Sequence, residues 1–277
     1  MSPFRLLNAW IDHQRLAELR RQVEWQLGVL FRQPVTLRPT LSSGGFDRIY
    51  LAYGDSQYSK ILASVRMNVP GRDRPPKEPH LPRVPLPGAY RIHRESRAYR
   101  QLSPLGIAPR LIARGEFYLA NHWLPWPRLS NVLRHHSHLL WDILPVALDA
   151  IRKMHESGVV HMDLNCGNLL IAPDFQSVVI IDFEFAPLPA MSHFDQQRFD
   201  FLRLAHNLLK PRRGRETAIQ QPELFVELFA RFVPETGLGV TDAMNTAWFE
   251  RVVEHQVIRD GFAEIFGVFD HNSKVIR

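Results

Sequence analysis

The chain has 277 residues, of which 45% are hydrophobic and 22% are charged. This composition is typical of a globular protein, and the length is enough for one large domain or for two lobes. No run of about 18 apolar residues occurs, so a membrane span is not expected. Asp12 and Arg15 interrupt the apolar core that an N-terminal secretory signal needs.

The formal net charge of +6 favours polyanionic partners such as nucleotide phosphates, nucleic acid or an anionic membrane surface. The alternative is an arginine-rich surface that only contacts water. Zinc-finger spacing, an aromatic RNA-binding motif and a clear helix-turn-helix pattern are all missing from the sequence, so no nucleic-acid partner is expected. Cys166 is the single cysteine, which excludes an internal disulfide and is consistent with a reducing, cytoplasmic location.

The first predicted element is a helix over residues 5–31, where apolar residues recur at helical spacing between arginines and glutamates. Such a helix either lies on a membrane surface or packs on its own domain. Three short strands follow between residues 35 and 66. The first two are joined by S-S-G-G-F, residues 42–46, and the next two by the hairpin signal Gly54-Asp55.

Residues 67–90 contain seven prolines with arginines and a lysine among them. Proline fixes φ and lacks the N–H donor, which excludes a regular helix or a central strand. We expect a mobile loop, either a flap on the substrate side or a surface insertion.

The remaining elements are mainly helical. The patterns predict a helix over residues 91–103, two strands around the Gly115-Glu116 turn, and helices over 129–136 and 139–157, the last ending at Gly158. The strands N-L-L-I and V-V-I-I-D-F then flank a turn at residues 173–174, and helices dominate from about residue 195.

The predicted fold class is therefore α+β, with a strand-rich N-terminal half, a helix-rich C-terminal half and a cleft. The predicted domain boundaries give an N-terminal helical extension (1–34), an N-lobe (35–127) with the proline-rich insertion 67–90, and a helical C-lobe (128–277).

The stretch V-H-M-D-L-N-C-G-N-L-L-I, residues 160–171, crowds polar side chains between apolar segments. Burying such side chains without partners is costly, so they either form a satisfied turn or face a ligand. A hairpin after this stretch brings Asp163, Asn168 and Asp182 to one rim. Their oxygen atoms suit Mg²⁺, and Asp163 can orient or deprotonate a hydroxyl, while His161 is better placed to brace the turn.

These residues resemble two motifs of the protein-kinase-like superfamily. His161, Asp163 and Asn168 match H-x-D-x-x-x-x-N, and Asp182-Phe183 matches the start of D-F-G. The resemblance implies a two-lobed kinase-like fold with ATP and Mg²⁺ as cofactors. It implies that Asp163 is the catalytic base and that Asn168 and Asp182 bind the metal.

Other expected parts of that superfamily have weaker counterparts. Ser43, Gly44 and Gly45 resemble a phosphate-covering loop, although the same residues suit an ordinary hairpin turn. Lys60 fits the lysine that holds the α- and β-phosphates, with Arg66 on the same strand as a substitute. Glu95 fits the helix glutamate that pairs with that lysine.

Asp200, in R-F-D-F-L-R-L, resembles the buried aspartate that braces the catalytic loop. If it is buried, it needs donors to remain charged.

Glu184 replaces the glycine of D-F-G and no A-P-E sequence follows, so the chain is similar to small-molecule and glycolipid kinases rather than to regulatory protein kinases. Four further motifs are D-L-N-C-G-N-L-L-I with I-D-F, the helix segment E-S-R-A-Y, G-I-A-P-R, and R-F-D-F-L-R-L. Together they resemble bacterial lipopolysaccharide core kinases, which phosphorylate Kdo or heptose. That resemblance implies an anionic glycolipid acceptor and a cytoplasmic enzyme in peripheral contact with the inner membrane. Arg91, Arg94, Arg97, Arg100 and the run K-P-R-R-G-R, residues 210–215, would attract such an acceptor.

Three alternatives remain open from the sequence. I-D-F-E-F-A also resembles choline, ethanolamine and aminoglycoside phosphotransferases. A Ser/Thr protein kinase is the second alternative. An ATP-binding pseudokinase scaffold is the third, prompted by Glu184 and by the degenerate glycine loop.

Overall fold

A computed structural model describes residues 3–40, 47–54, 60–69, 81–233 and 246–266 of the protein. The chain divides into two compact units. The first comprises residues 1–76, 85–104 and 108–125, and the second comprises residues 77–84, 105–107 and 126–277. A five-stranded antiparallel sheet in the N-terminal part precedes a mostly helical C-terminal part, which confirms the predicted α+β class.

The helix predicted for residues 5–31 is present as α1 (Pro3–Phe31). Leu16, Val23 and Leu27 are buried along it, in the same hydrophobic cluster as Val35 and Leu37 of the adjoining strand. The helix therefore contributes to the core of the first unit. Within the described ranges, no helix is both long enough and apolar enough to span a bilayer.

The strands of the N-terminal half are β1 (Val35–Pro39), β2 (Asp47–Gly54), β3 (Ile61–Asn68), β4 (Arg83–Pro85), β5 (Leu111–Arg114) and β6 (Tyr118–Asn121). All of these except β4 form one sheet in the order β1-β2-β3-β6-β5. Ala63, Val65 and Met67 of β3 are buried at every second position, which is the period of a strand with one face on a core. The strand predicted in this region is therefore present, with one face on the core.

The helix predicted for residues 91–103 is present as α2 (Gly88–Leu102). Ile92, Glu95, Tyr99 and Leu102 are buried at spacings of three and four residues, so they share one face of the helix. Asn68 Nδ2 donates a hydrogen bond of 2.7 Å to the Gly88 carbonyl. This bond ties the end of β3 to the first turn of α2.

The elements of the C-terminal half include the two helices predicted before residue 160. In chain order the helices are α3 (Leu129–His135), α4 (Leu140–Glu156), α5 (His193–Leu208), α6 (Arg215–Gln220), α7 (Pro222–Phe232), α8 (Glu250–Val253) and α9 (Gln256–Phe266), and the strands are β7 (Leu169–Ile171), β8 (Val178–Ile180) and β9 (Phe185–Pro187). β7 and β8 form the predicted hairpin, and β4 pairs with β9.

The proline-rich segment differs from the predicted loop at both of its ends. β3 continues to Asn68, and residues 83–85 form β4, while residues 70–80 lie outside the described ranges. Proline is tolerated at the end of a short strand that has only one partner, which is why Pro85 does not prevent the pairing with β9. Leu81 just before β4 is 3% exposed, so this end of the segment is anchored in the protein.

Helix α5 is the centre of the second unit. All of its residues from position 197 to position 208 are buried, including its charged ones. Phe201 of α5 lies 6.4 Å from Phe229 of α7, and Phe229 lies 5.1 Å from Phe262 of α9, measured between ring centroids. A chain of aromatic contacts therefore joins these three helices.

This aromatic chain generates a stability prediction. Phe229→Ala should lower the free energy of unfolding by about 3–5 kcal/mol, because it removes a fully buried ring and leaves a cavity. The matched control is Phe194→Ala at the start of α5, where the side chain is 54% exposed and the expected change is about 0.5 kcal/mol or less. Denaturant unfolding followed by circular dichroism measures both. Equal losses for the two variants would contradict the assigned packing.

Candidate functional site

The polar stretch singled out in the sequence forms the loop between α4 and β7. It follows Gly158, whose φ of +72° ends α4 in the left-handed conformation that favours glycine. Met162 inside the loop has a φ of +66°, which non-glycine residues rarely adopt. Such a conformation costs of order 1–3 kcal/mol and persists only where surrounding contacts hold it.

Asp200 of α5 supplies those contacts. Its side chain is 0% exposed, and it accepts the Met162 N–H at Oδ1 (2.7 Å) and the His161 N–H at Oδ2 (2.8 Å). His155 Nε2 lies 3.1 Å from Oδ2. A buried carboxylate needs several donors to stay charged, and here two of them are successive amides of the loop. Asp200 therefore fixes the loop backbone.

Two asparagines connect the loop internally. Asn165 Nδ2 and Asn168 Nδ2 both donate to the Asp163 carbonyl, at 2.9 and 3.0 Å. Asn165 Oδ1 accepts the Gly167 N–H at 2.8 Å, and a Cβ at residue 167 would lie 2.9 Å from that oxygen, so a larger residue there would displace the Asn165 side chain. The oxygen and the nitrogen of a side-chain amide lie on different sides of its carbon. Because Nδ2 of Asn168 points to the Asp163 carbonyl, Oδ1 points away from it.

The β7–β8 hairpin brings Asp182 beside Asn168. Leu169 is paired with Ile180, and the Ile181 N–H donates to the Asn168 carbonyl at 3.0 Å. Asp182 comes next in the chain and has a φ of +75°. Asn168 and Asp182 therefore lie at the same end of the hairpin, as the sequence interpretation expected.

His161 connects the loop to this end of the hairpin. It is fully buried, its Nε2 lies 2.9 Å from the Ile181 carbonyl, and its Nδ1 accepts the Asp163 N–H at 3.2 Å. One neutral tautomer with the proton on Nε2 satisfies both contacts. The imidazole ring also lies 4.7 Å from the Phe183 ring. All of these contacts are those of a brace rather than of a group that reacts with substrate.

The carboxylate of Asp163 contacts two arginines through the same oxygen. Arg83 Nη1 forms an ion pair with Oδ1, and Arg203 Nη2 lies 3.6 Å from that atom. The side chains of Arg83 and Arg203 are 7% and 9% exposed, whereas that of Asp163 is 20% exposed. Asp163 therefore retains access to solvent while its cationic neighbours are almost covered.

The sequence interpretation named neither arginine as a site residue. A signal existed for Arg203, since it follows Asp200 by three residues on a helix and so faces the same side. No comparable signal marks Arg83, which lies among prolines and does not differ in pattern from Arg72 or Arg74.

Asn168 and Asp182 offer an amide oxygen and a carboxylate, which are ligands that Mg²⁺ prefers. Among the residues that the structure describes, no group of three or more His, Cys, Asp or Glu side chains is arranged to hold a metal ion. Mg²⁺ needs no such group, because water and phosphate oxygens commonly complete its shell around one or two protein ligands. The donor set fits Mg²⁺ on these grounds.

In the first unit, Glu95 pairs with Arg66, which corrects the predicted pairing with Lys60. Arg66 Nη1 donates to Glu95 Oε2 at 2.8 Å, and Tyr99 donates to Oε1 at 2.6 Å. Lys60 is exposed and precedes β3. Arg66 lies six positions further along the extended chain, a distance of about 20 Å, which a lysine side chain cannot span.

The predicted phosphate-covering residues Ser43, Gly44 and Gly45 lie outside the described residues. The strand that follows them begins at Asp47, whose Oδ2 lies 3.2 Å from Arg91 Nη1 of α2. Arg91 is buried and therefore belongs to this internal ion pair rather than to the basic surface predicted for α2.

Cys166 lies in the loop but takes no part in its chemistry. It is fully buried, and its N–H donates to Asn207 Oδ1 at 3.0 Å. Burial raises the pKa of its thiol to about 12. Since the thiolate is the nucleophilic form, Cys166 is unreactive at neutral pH.

Comparison with known proteins assigns no family. No protein-family model matches the chain, and a search of curated proteins finds no match. The functional argument therefore depends on the residues and contacts described above.

The corrected ion pair yields a prediction that separates Arg66 from Lys60. Arg66→Met should lower the free energy of unfolding by about 3 kcal/mol, because it removes the guanidinium that pairs with the buried Glu95 carboxylate. Lys60→Met is the matched control and should change it by about 0.5 kcal/mol or less, since Lys60 is exposed. Urea unfolding measures both values. A larger effect at Lys60 would restore the original pairing.

His206 of α5 yields a prediction about pH. Burial, followed by the positive charges of Lys210, Arg203 and Arg251, lowers the pKa of His206 to about 3. An unfolded imidazole binds a proton below about pH 6.5, whereas the folded one does not. The contribution of His206 to stability is therefore complete above that pH and falls as the pH decreases towards 3.

We expect His206→Gln to reduce the loss in Tm between about pH 7.5 and about pH 5 relative to the wild type. His135→Gln, which replaces an exposed histidine of α3, is the control and should keep the wild-type loss. Differential scanning calorimetry at both pH values gives the comparison. If His206→Gln keeps the pH dependence of the wild type, folding does not lower the pKa of the His206 imidazole.

Proposed function

We propose that the chain is an ATP- and Mg²⁺-dependent phosphotransferase with a protein-kinase-like fold, which transfers a phosphoryl group to a hydroxyl of its acceptor. One observation carries the proposal: Asp200 and the β7–β8 hairpin bring the loop bearing Asp163 and Asn168 together with Asp182. These three residues occupy the motif positions that match the superfamily's base and metal ligands.

The mechanism assigns a separate task to each side chain. Asp163 orients the acceptor hydroxyl and accepts its proton while the acceptor oxygen forms a bond to the γ-phosphorus of ATP. The bond from that phosphorus to the oxygen of ADP breaks, and ADP leaves with the electron pair. Asn168 and Asp182 would hold Mg²⁺, which would supply charge neutralisation at the phosphate oxygens.

Arg66 takes the phosphate-binding role that the sequence interpretation gave to Lys60. A guanidinium presents several N–H donors in one plane, which suits phosphate oxygens as well as carboxylates. Arg66 and Tyr99 each bond one oxygen of Glu95, so both carboxylate oxygens are held. A fixed glutamate in turn fixes the guanidinium.

For the acceptor we propose the sugar of an anionic glycolipid such as a lipopolysaccharide core, met at the inner face of a membrane. Two features support an anionic acceptor. The net charge of +6 and exposed arginines such as Arg97 and Arg100 attract anionic surfaces. Arg83 and Arg203 beside Asp163 would repel a cationic group such as choline, which binds better to acidic and aromatic side chains.

A scaffold that binds ATP without transferring phosphate is the second candidate. Glu184 favours it, since this residue is 4% exposed at the position where the superfamily motif has glycine. The two candidates differ in turnover, so a transfer assay separates them.

The central prediction concerns Asp163 and Asp182. Asp163→Asn and Asp182→Asn should each reduce phosphoryl transfer by about 100-fold or more, because one removes the proton acceptor and the other a metal ligand. The matched control is Asp174→Asn in the β7–β8 turn, which is exposed and should keep wild-type activity. The assay follows labelled γ-phosphate into Kdo- and heptose-containing lipids, aminoglycosides and choline.

The shift in Tm on adding Mg²⁺ and ATP measures whether the same variants still bind the nucleotide. The wild type and Asp163→Asn should be stabilised by Mg²⁺ with ATP, and Asp182→Asn should lose most of that shift. Wild-type stabilisation without transfer to any acceptor would indicate the scaffold. Transfer that survives both substitutions would refute the kinase assignment.

A further inference from the structure

The loop from Asp163 to Asn168 contains no cationic side chain, as its sequence D-L-N-C-G-N shows. A carboxylate that must accept a proton from one defined direction needs its own orientation fixed. The two guanidinium groups beside Asp163 come from outside the loop. Arg83 comes from β4 and Arg203 from α5.

Both guanidinium groups approach Oδ1 of Asp163. Arg83 pairs with it directly, and Arg203 Nη2 lies 3.6 Å away. The two guanidinium groups therefore approach the carboxylate at the same atom. The carboxylate is thus held by the protein at Oδ1, while the side chain remains 20% exposed.

Arg83 is held in place by several independent contacts. Its Cζ lies 4.0 Å from the ring centroid of Phe185, and its Nη1 lies 3.4 Å from the Met162 carbonyl. The Leu188 N–H donates to the Pro82 carbonyl at 3.3 Å beside the β4–β9 pairing. The aromatic face, the carbonyl and the strand together fix the Arg83 guanidinium beside Asp163.

We propose that Arg83 and Arg203 are positioning residues for Asp163. They hold the carboxylate through Oδ1 in the orientation in which it accepts the proton of the acceptor hydroxyl. The C-terminal end of the proline-rich segment, which delivers Arg83, is therefore part of the active site. This inference depends on the proposed function, because it assigns Asp163 the task of orienting the acceptor.

The test compares Arg83→Ala, Arg83→Lys and Arg203→Ala with Arg134→Ala, which replaces an exposed arginine of α3. Arg83→Ala should lower kcat for transfer by about 10- to 100-fold, since a small misplacement of a reacting group has an effect of this size. KM for ATP should stay within about twofold, because neither arginine is assigned to the nucleotide. Arg134→Ala should match the wild type.

Three readouts separate positioning from a purely structural role. The ratio of transfer to ATP hydrolysis should fall in Arg83→Ala, because a misoriented Asp163 no longer selects the acceptor over water. Arg83→Lys should recover part of kcat, and guanidinium ions added at millimolar concentration should partly rescue Arg83→Ala. Equal losses of transfer and hydrolysis without rescue would overturn the inference and leave a structural role.

A double-mutant cycle tests the contact without any activity. The fall in Tm of Arg83→Ala with Asp163→Asn should be smaller than the sum of the two single falls, because each substitution removes the same ion pair. Additive falls would overturn the inference even if the enzyme is active. Full turnover by Arg83→Ala would also overturn it and leave the proposed function intact, whereas a wild type without transfer or hydrolysis would overturn both.

Discussion

The arrangement of the candidate site depends on one buried carboxylate. Asp200 has no exposed surface, so its charge is tolerable only if protein donors replace water, and two of these donors are the successive amides of His161 and Met162. The same bonds hold Met162 at its positive φ. Because Asp163 follows Met162 directly, this contact fixes the backbone that carries the Asp163 side chain. The requirement of Asp200 for donors and the requirement of the loop for support are thus met by the same bonds.

The polar cluster is both a satisfied turn and a surface suited to a ligand. Asn165 and Asn168 use their amide nitrogens on the Asp163 carbonyl, and His161 uses both ring nitrogens on neighbouring backbone. These bonds offset the cost of placing polar groups between apolar segments. They engage backbone atoms of the cluster, and the carboxylate of Asp163 stays 20% exposed. The bonds that satisfy the turn therefore also position the residues of the candidate site.

Local patterns predicted most of the fold, because alternation and helical spacing report which face of each element is buried. The hairpin pattern also predicted the approach of Asn168 to Asp182, since a hairpin fixes its own register. Asp200 was named through the motif resemblance alone. The partner of Glu95 was predicted wrongly because it depends on which residue of β3 lies opposite α2, and two cations six positions apart fit the pattern equally. Arg83 was missed since only the β4–β9 pairing, a contact between distant segments, selects it.

Arginine rather than lysine pairs with both Glu95 and Asp163, and this has a physical reason. Arg66 and Arg83 are 16% and 7% exposed, and a guanidinium is less strongly hydrated than an ammonium, so it loses less on burial. Its planar face also packs on a ring, as Arg83 does on Phe185. A lysine would keep the charge but lose the plane and most of the donors. The chain therefore uses buried arginines to fix carboxylates, and exposed arginines account for its basic surface.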